Sequence, residues 1–86
     1  MFTSMNLAIL QGTLEMAEKH VLDGERNIAR QKELITEMVS LGLDVSSYQT
    51  TLANFEDTQR LHVEHVRKLK QDLVKALQSQ KREASD

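Results

Sequence analysis

The chain contains no cysteine, no proline and no tryptophan, and its only aromatic residues are Phe2, Tyr48 and Phe55. Without cysteine there is no disulfide framework and no thiolate metal site, a composition that fits a reducing compartment. Without proline, nothing interrupts a helical backbone from within. There is no glycine-rich phosphate loop, and no Ser-His-Asp set in a strand-turn-helix context. A net charge of −2 creates no overall field to attract nucleic acid. Residues 1–14 carry no charged side chain, but they are too few to span a bilayer. They also lack the basic start of a signal peptide and the basic face of a membrane-surface helix. Packing against a partner is the expected use of that stretch.

What is present is a mixture of 40% apolar and 28% charged residues, with both signs interspersed. Such a mixture suits long solvated helices better than disorder. The 86 residues allow one domain. Leu7, Leu10, Leu14, Ala17, Val21, Gly24, Ile28, Gln31, Ile35 and Met38 follow alternating steps of three and four, a heptad seam on one stripe of a helix. Tyr48, Leu52, Phe55, Gln59, His62, Val66, Leu69, Leu73 and Ala76 repeat the pattern. Between the two, Gly42 can end a helix in the left-handed conformation, with Leu43 as its apolar companion. Asp44 can cap the next helix, with Ser46 and Ser47 as rivals. The spacing therefore predicts an all-α fold, an antiparallel two-helix coiled-coil hairpin over 1–86. Helix 1 is expected over about 4–41, a turn at 42–44, helix 2 over about 45–80 and a frayed tail at 81–86. A shorter first helix capped at Gly12-Thr13 is the alternative start.

With the turn between Leu43 and Asp44, facing residues have numbers that add to about 87. Gly24 then faces His62 or Val63, and Ala17 faces Leu69, so that small residues oppose large ones. Phe55 meets Gln31, Ile28 meets Gln59, and Ala76 meets Leu10 or Leu14. Gly24 costs roughly 1 kcal/mol of helix propensity relative to alanine, which a close helix contact at Gly24 and Ala17 would offset. Leu22, Leu34, Val39, Leu41, Leu61 and Val63 lie beyond the seam, and Leu77 joins them; a lone hairpin has no use for them. A chain of this size has little core without oligomerisation, so a homodimer that forms a four-helix bundle is expected.

Glu25, Arg26, Arg30, Gln31, Glu56 and His62 form a candidate polar cluster, with Arg30–Glu56 and Glu25–His62 as cross-helix ion pairs that would set register. A site for a small acidic ligand is the functional alternative there. His20, His62, His65 and Glu25 are candidate metal ligands, since imidazoles with a carboxylate suit zinc or iron. No Glu-x-x-His occurs in the chain, so the di-iron carboxylate signature is absent. No catalytic residue and no cofactor is expected. The overall expectation is a small non-enzymatic interaction or regulatory protein that acts by self-association, with a further protein partner able to replace or extend it. A metal-responsive module is one alternative. The other is an RNA or anionic-membrane binder using Arg67 to Arg82, where six cations face only Asp72. A solvated helix end explains that run equally well, because cations near a C-terminus complement the helix dipole, and no aromatic residue is interleaved for base stacking.

The run H-V-x-x-G-E-R-x-I-x-R-Q at His20 to Gln31, followed by L-A-x-F-E-x-T-x-x-L-H-x-x-H at Leu52 to His65, resembles a family of short, uncharacterised proteobacterial helical-hairpin proteins common in soil- and plant-associated species. The resemblance covers roughly His20 to Leu73. Its matching positions are His20, Gly24, Glu25, Arg26, Arg30, Gln31, Phe55, Glu56, Thr58, His62 and His65. Members often carry a second histidine where this chain has Asn27, and G-H-D-T where it has Gly42-Leu43-Asp44-Val45. Each departure takes a histidine out of the set available to a metal. The resemblance implies a bacterial cytoplasmic setting and no particular activity.

Overall fold

A computed structural model describes the backbone of residues 4–85 and the side chains of residues 6–82. Two helices account for nearly all of it: α1 over Ser4–Ser40 and α2 over Ser46–Ser85, packed side by side. α1 runs without a break through Gly12 and Thr13, and the Thr13 hydroxyl donates to the Ile9 carbonyl one turn back, so it caps nothing. α2 continues to Ser85, past the expected end at Gln80 and through the segment expected to fray; Asp86 lies outside the described residues. The reason is local. Gln80, Lys81, Arg82, Glu83 and Ala84 are all good helix formers, with no glycine or proline among them.

The turn is built as the residues between the helices dictate. Gly42 has φ +73°, the left-handed region that a side chain disfavours. The Leu43 N–H donates to the Met38 carbonyl at 3.0 Å and the Gly42 N–H to the Val39 carbonyl at 3.0 Å, the paired bonds of a Schellman motif. Asp44 then opens α2. Its Oδ1 accepts from the Ser46 N–H at 3.0 Å and from the Ser46 hydroxyl at 2.8 Å. These bonds hold the Asp44 carboxyl below its ordinary pKa, the backbone bond contributing most.

The molecule measures 69 × 14 × 13 Å. At 1.5 Å per residue a 40-residue helix is about 60 Å long, so the rod is two helices wide for nearly its whole length. Its register differs from the expected one. Gln59, not His62 or Val63, lies over Gly24, and Gln31 reaches the Tyr48 carbonyl rather than Phe55. The cause lies in the connection. Leu43, Asp44 and Val45 are non-helical, and an extended residue rises about 3.3 Å against 1.5 Å in a helix. The connection thus covers more length than helical residues would, and the partners of Gly24 and Gln31 differ from those a count of residues suggests.

The core is a narrow seam. Leu7, Ala17, Leu69 and Ala76 are its buried apolar residues among those described, and Ala76 is fully enclosed. A compact monomer of this mass would expose about 5,200 Å², whereas this chain exposes 6622 Å². No helix among the described residues is long and apolar enough to cross a membrane.

Two outcomes are expected at the turn. Gly42→Ala meets no neighbouring atom, so its whole cost is conformational and comes to about 1–2 kcal/mol; a thermal melt with no loss of stability would contradict the left-handed assignment. The lowered pKa of Asp44 gives a contribution present above its unfolded value and lost as pH falls through the folded one. Wild type should therefore lose helical stability across the acidic carboxylate range more steeply than Asp44→Asn, measured by circular dichroism melts at stepped pH.

Candidate functional site

Two glutamines cross from one helix to the backbone of the other. Gln31 on α1 is buried and its Nε2 donates to the Tyr48 carbonyl at 3.0 Å. Gln59 on α2 returns the bond, its Nε2 donating to the Val21 carbonyl at 2.9 Å. The second bond needs Gly24. A Cβ placed there would fall far inside van der Waals contact with the Gln59 Oε1. The glycine in the middle of α1 is thus explained by an amide lying flat against the helix backbone, and the imidazole of His62 stands beside that contact rather than on it.

Beside this crossing lies a cleft of about 290 Å³, lined from α1 by His20, Asp23, Gly24 and Asn27 and from α2 by Phe55, Thr58, Gln59 and His62. The residues on α1 step by three and four, which puts them on one stripe next to the seam. The rings of His20 and His62 stand 5.5 Å apart between centroids, tilted by 35°. Two buried polar atoms at the cleft lack a hydrogen-bond partner among the described residues, the Gln59 Oε1 and the His62 Nδ1. Such an orphaned atom costs about 1–3 kcal/mol, and it marks where a donor, a water or an ion would be welcomed.

The other candidate residues are distributed differently from the expectation. Glu25 follows Gly24 by one position, about 100° further round the helix, and it does not line the cleft. Glu25, Arg26, Arg30 and His65 are exposed, and Glu56 is half-buried. The ion pairs among the described residues stay within one helix: Asp23–Arg26 at 4.0 Å, Asp57–Arg60 and Glu64–Arg67. The expected Arg30–Glu56 and Glu25–His62 pairs do not form among the described residues. Arg67 forks onto both oxygens of Glu64, and that bond holds the Glu64 carboxyl below its ordinary pKa. No three His, Asp or Glu side chains among the described residues stand in position to hold a metal ion. Of the four metal candidates, His20 and His62 are brought together. Asp23, which sequence spacing could have flagged one turn after His20, joins them at the cleft.

A second, shallower groove of about 250 Å³ runs along the other side of the seam, between Glu18, Val21 and Leu22 on α1 and Val66 and Lys70 on α2. Of the basic residues of Arg67 to Arg82, Lys70 lines this groove, Arg67, Lys70 and Lys75 share an open surface of α2 with Val74, and Lys68, Lys75 and Arg82 recur every seven residues.

Comparison with family models, with curated proteins and with solved structures finds no match to this chain.

The glycine–glutamine contact has a measurable signature. In the wild-type background Gly24→Ala gains about 1 kcal/mol of helix propensity and displaces an amide bond of similar net worth, so it should be near neutral. In a Gln59→Ala background the same substitution should stabilise by about 1 kcal/mol, because nothing is left to displace. Thermal melts of the four chains read this coupling; equal effects in both backgrounds would show that the amide does not lie over Gly24.

Proposed function

We propose that this protein is a small non-enzymatic interaction module that works by self-association, two hairpins pairing face to face as a four-helix bundle with coiled-coil-like seams. The observation that carries this reading is the make-up of the groove side. On α1 the exposed stripe Glu15, Glu18, Leu22 and Glu25 steps by three and four, and on α2 the exposed stripe is Arg60, Val63, Arg67, Lys70, Val74 and Leu77. One helix offers acid and the other base, with apolar side chains set between the charges. Leu22, Val63 and Val74 are each half or more exposed.

Such a surface is self-complementary about one twofold only. An axis parallel to the helices lays α1 of one chain along α2 of the other, and acid meets base on both sides of the axis. An axis across the helices would lay α1 on α1, acid on acid. Pairing in the first way covers Leu22 with Val63 and removes part of the surface that the chain exposes in excess of a compact monomer. The charges contribute orientation more than affinity, since exposed pairs are each worth about 0–1 kcal/mol. The resemblance to short proteobacterial hairpin proteins supports a bacterial cytoplasmic setting, and a further protein could use the same side in place of a second copy.

The test is a charge exchange read by solution mass. Wild type should associate, with a mass that rises with concentration toward twice 9.8 kDa. A Glu15→Lys/Glu18→Lys chain and an Arg67→Glu/Lys70→Glu chain should each stay monomeric alone and pair when mixed, because mixing restores complementary stripes at both halves of the interface. A wild-type chain that remains a helical monomer at all concentrations would defeat self-association. Association of wild type unaffected by either charge reversal would defeat this face.

A further inference from the structure

We infer that the cleft between His20 and His62 is a binding site for a late first-row divalent metal ion such as zinc, cobalt or nickel, held by these two imidazoles with the Asp23 carboxylate as third ligand. The site lies across the seam from the charged groove and within a single chain, so it does not depend on self-association. Three observations converge on it. The first is distance. Two imidazoles that share one tetrahedral ion at a metal–nitrogen distance of about 2.0–2.1 Å hold their ring centroids roughly 5 Å apart, and His20 and His62 stand at 5.5 Å. The second is the buried His62 Nδ1, which has no hydrogen-bond partner among the described residues. No protein partner at that nitrogen would have to be displaced. The third is the donor set around the rings.

Asp23 follows His20 by one turn and lines the same cleft. Its carboxylate meets only the exposed Arg26 guanidinium, at 4.0 Å, the outer limit of an ion pair. Asp23 is half exposed, and the inferred site requires its carboxylate to turn from Arg26 toward the rings when an ion binds. As placed, no three acidic or histidine side chains converge on one point; the two rings supply the fixed part of the site and Asp23 the mobile part. The lining is otherwise neutral, from Asn27, Thr58, Gln59 and Phe55, so no lysine or arginine lines the cleft to compete for the place of a cation. Two nitrogens and one carboxylate favour zinc and its neighbours over magnesium or calcium, which seek all-oxygen shells. Water would complete the coordination, and the cleft volume of about 290 Å³ leaves space for it.

His65 is the internal control. It is exposed on α2 one turn from His62 and does not line the cleft. The experiment is calorimetric titration of the full chain with zinc chloride, paired with cobalt chloride titration followed by visible absorption. Wild type should bind one ion per chain, on the order of micromolar as expected for so few protein ligands, and cobalt should give the intense visible band of a four-coordinate ion. His20→Ala and His62→Ala should each lose at least tenfold in affinity together with that band, Asp23→Asn should lose severalfold, and His65→Ala should match wild type. His20 is exposed, so His20→Ala keeps the fold and remains decisive should His62→Ala unfold; circular dichroism on each variant checks this. Unchanged binding in His20→Ala overturns the site, as does an equal loss in His65→Ala. Zinc uptake without saturation at one ion per chain also overturns it, since that is the behaviour of scattered surface histidines.

Discussion

The amide of Gln59, laid over Gly24 and bonded to the Val21 carbonyl, fixes how one helix sits against the other. An apolar seam alone is a poor ruler. Leucine, isoleucine and valine at steps of three and four look much alike after a slide of seven residues, and burial is non-directional. A hydrogen bond to a particular carbonyl is not tolerant in that way. Gln31 makes the complementary bond from α1 to the Tyr48 carbonyl, so a slide in either direction breaks both. Gly24 is the one seam position of α1 without a side chain, and it is where the amide is admitted. The position of the His20–His62 pair follows from this crossing, because both rings flank the same contact.

Much of what the sequence specifies is legible without coordinates, and the reason is that it is local. Helix periodicity, the left-handed Gly42 and the Asp44 cap each depend on a few consecutive residues, and each is found where the pattern puts it. The register was not legible, because it depends on how far a short non-helical connection travels. Leu43 to Val45 cover more length than helical residues would, and the partners of Gly24 and Gln31 differ from those a count of residues gives. Cross-helix ion pairs depend on that register, and the ion pairs among the described residues stay within one helix. The helix-spanning bonds of Gln31 and Gln59 are not legible in the sequence for a different reason. At seam positions they read as polar interruptions, and only geometry shows that each amide ends on a carbonyl of the opposite helix. Asp23 was hidden by its neighbour: Glu25 carries the same charge near the same histidines in sequence, but it points about 100° away from Gly24.

The distribution of stabilising contacts along the rod is uneven. Leu7, Ala17, Leu69 and Ala76, the buried apolar residues, lie toward the end away from the turn. The turn end is held by the Schellman bonds, the Asp44 cap and the Gln31–Tyr48 bond. Between them the seam carries Gly24, Gln59 and His62, with two buried polar atoms left unpaired. No buried apolar residue among those described lies between Ala17 and Leu69, so the middle and the turn end alike rest on polar contacts and half-buried side chains.

That unevenness gives the two sides of the hairpin different physical characters. The groove side presents opposite charges on opposite helices; Arg60 and Arg67 already pair with Asp57 and Glu64 within α2, so what a second surface would add is mainly orientation. The cleft side presents nitrogen and oxygen lone pairs drawn from both helices of the same chain. An ion held between His20 and His62 would join α1 to α2 at mid-length, beside the crossing of Gln59 over Gly24. Because such an ion binds the folded hairpin and not the unfolded chain, its binding energy becomes folding energy. It would enter beside Gly24 and Gln59, next to two buried polar atoms that lack partners among the described residues. The proposed association through the groove side, by contrast, would add burial along both helices at once and would leave the cleft facing outward.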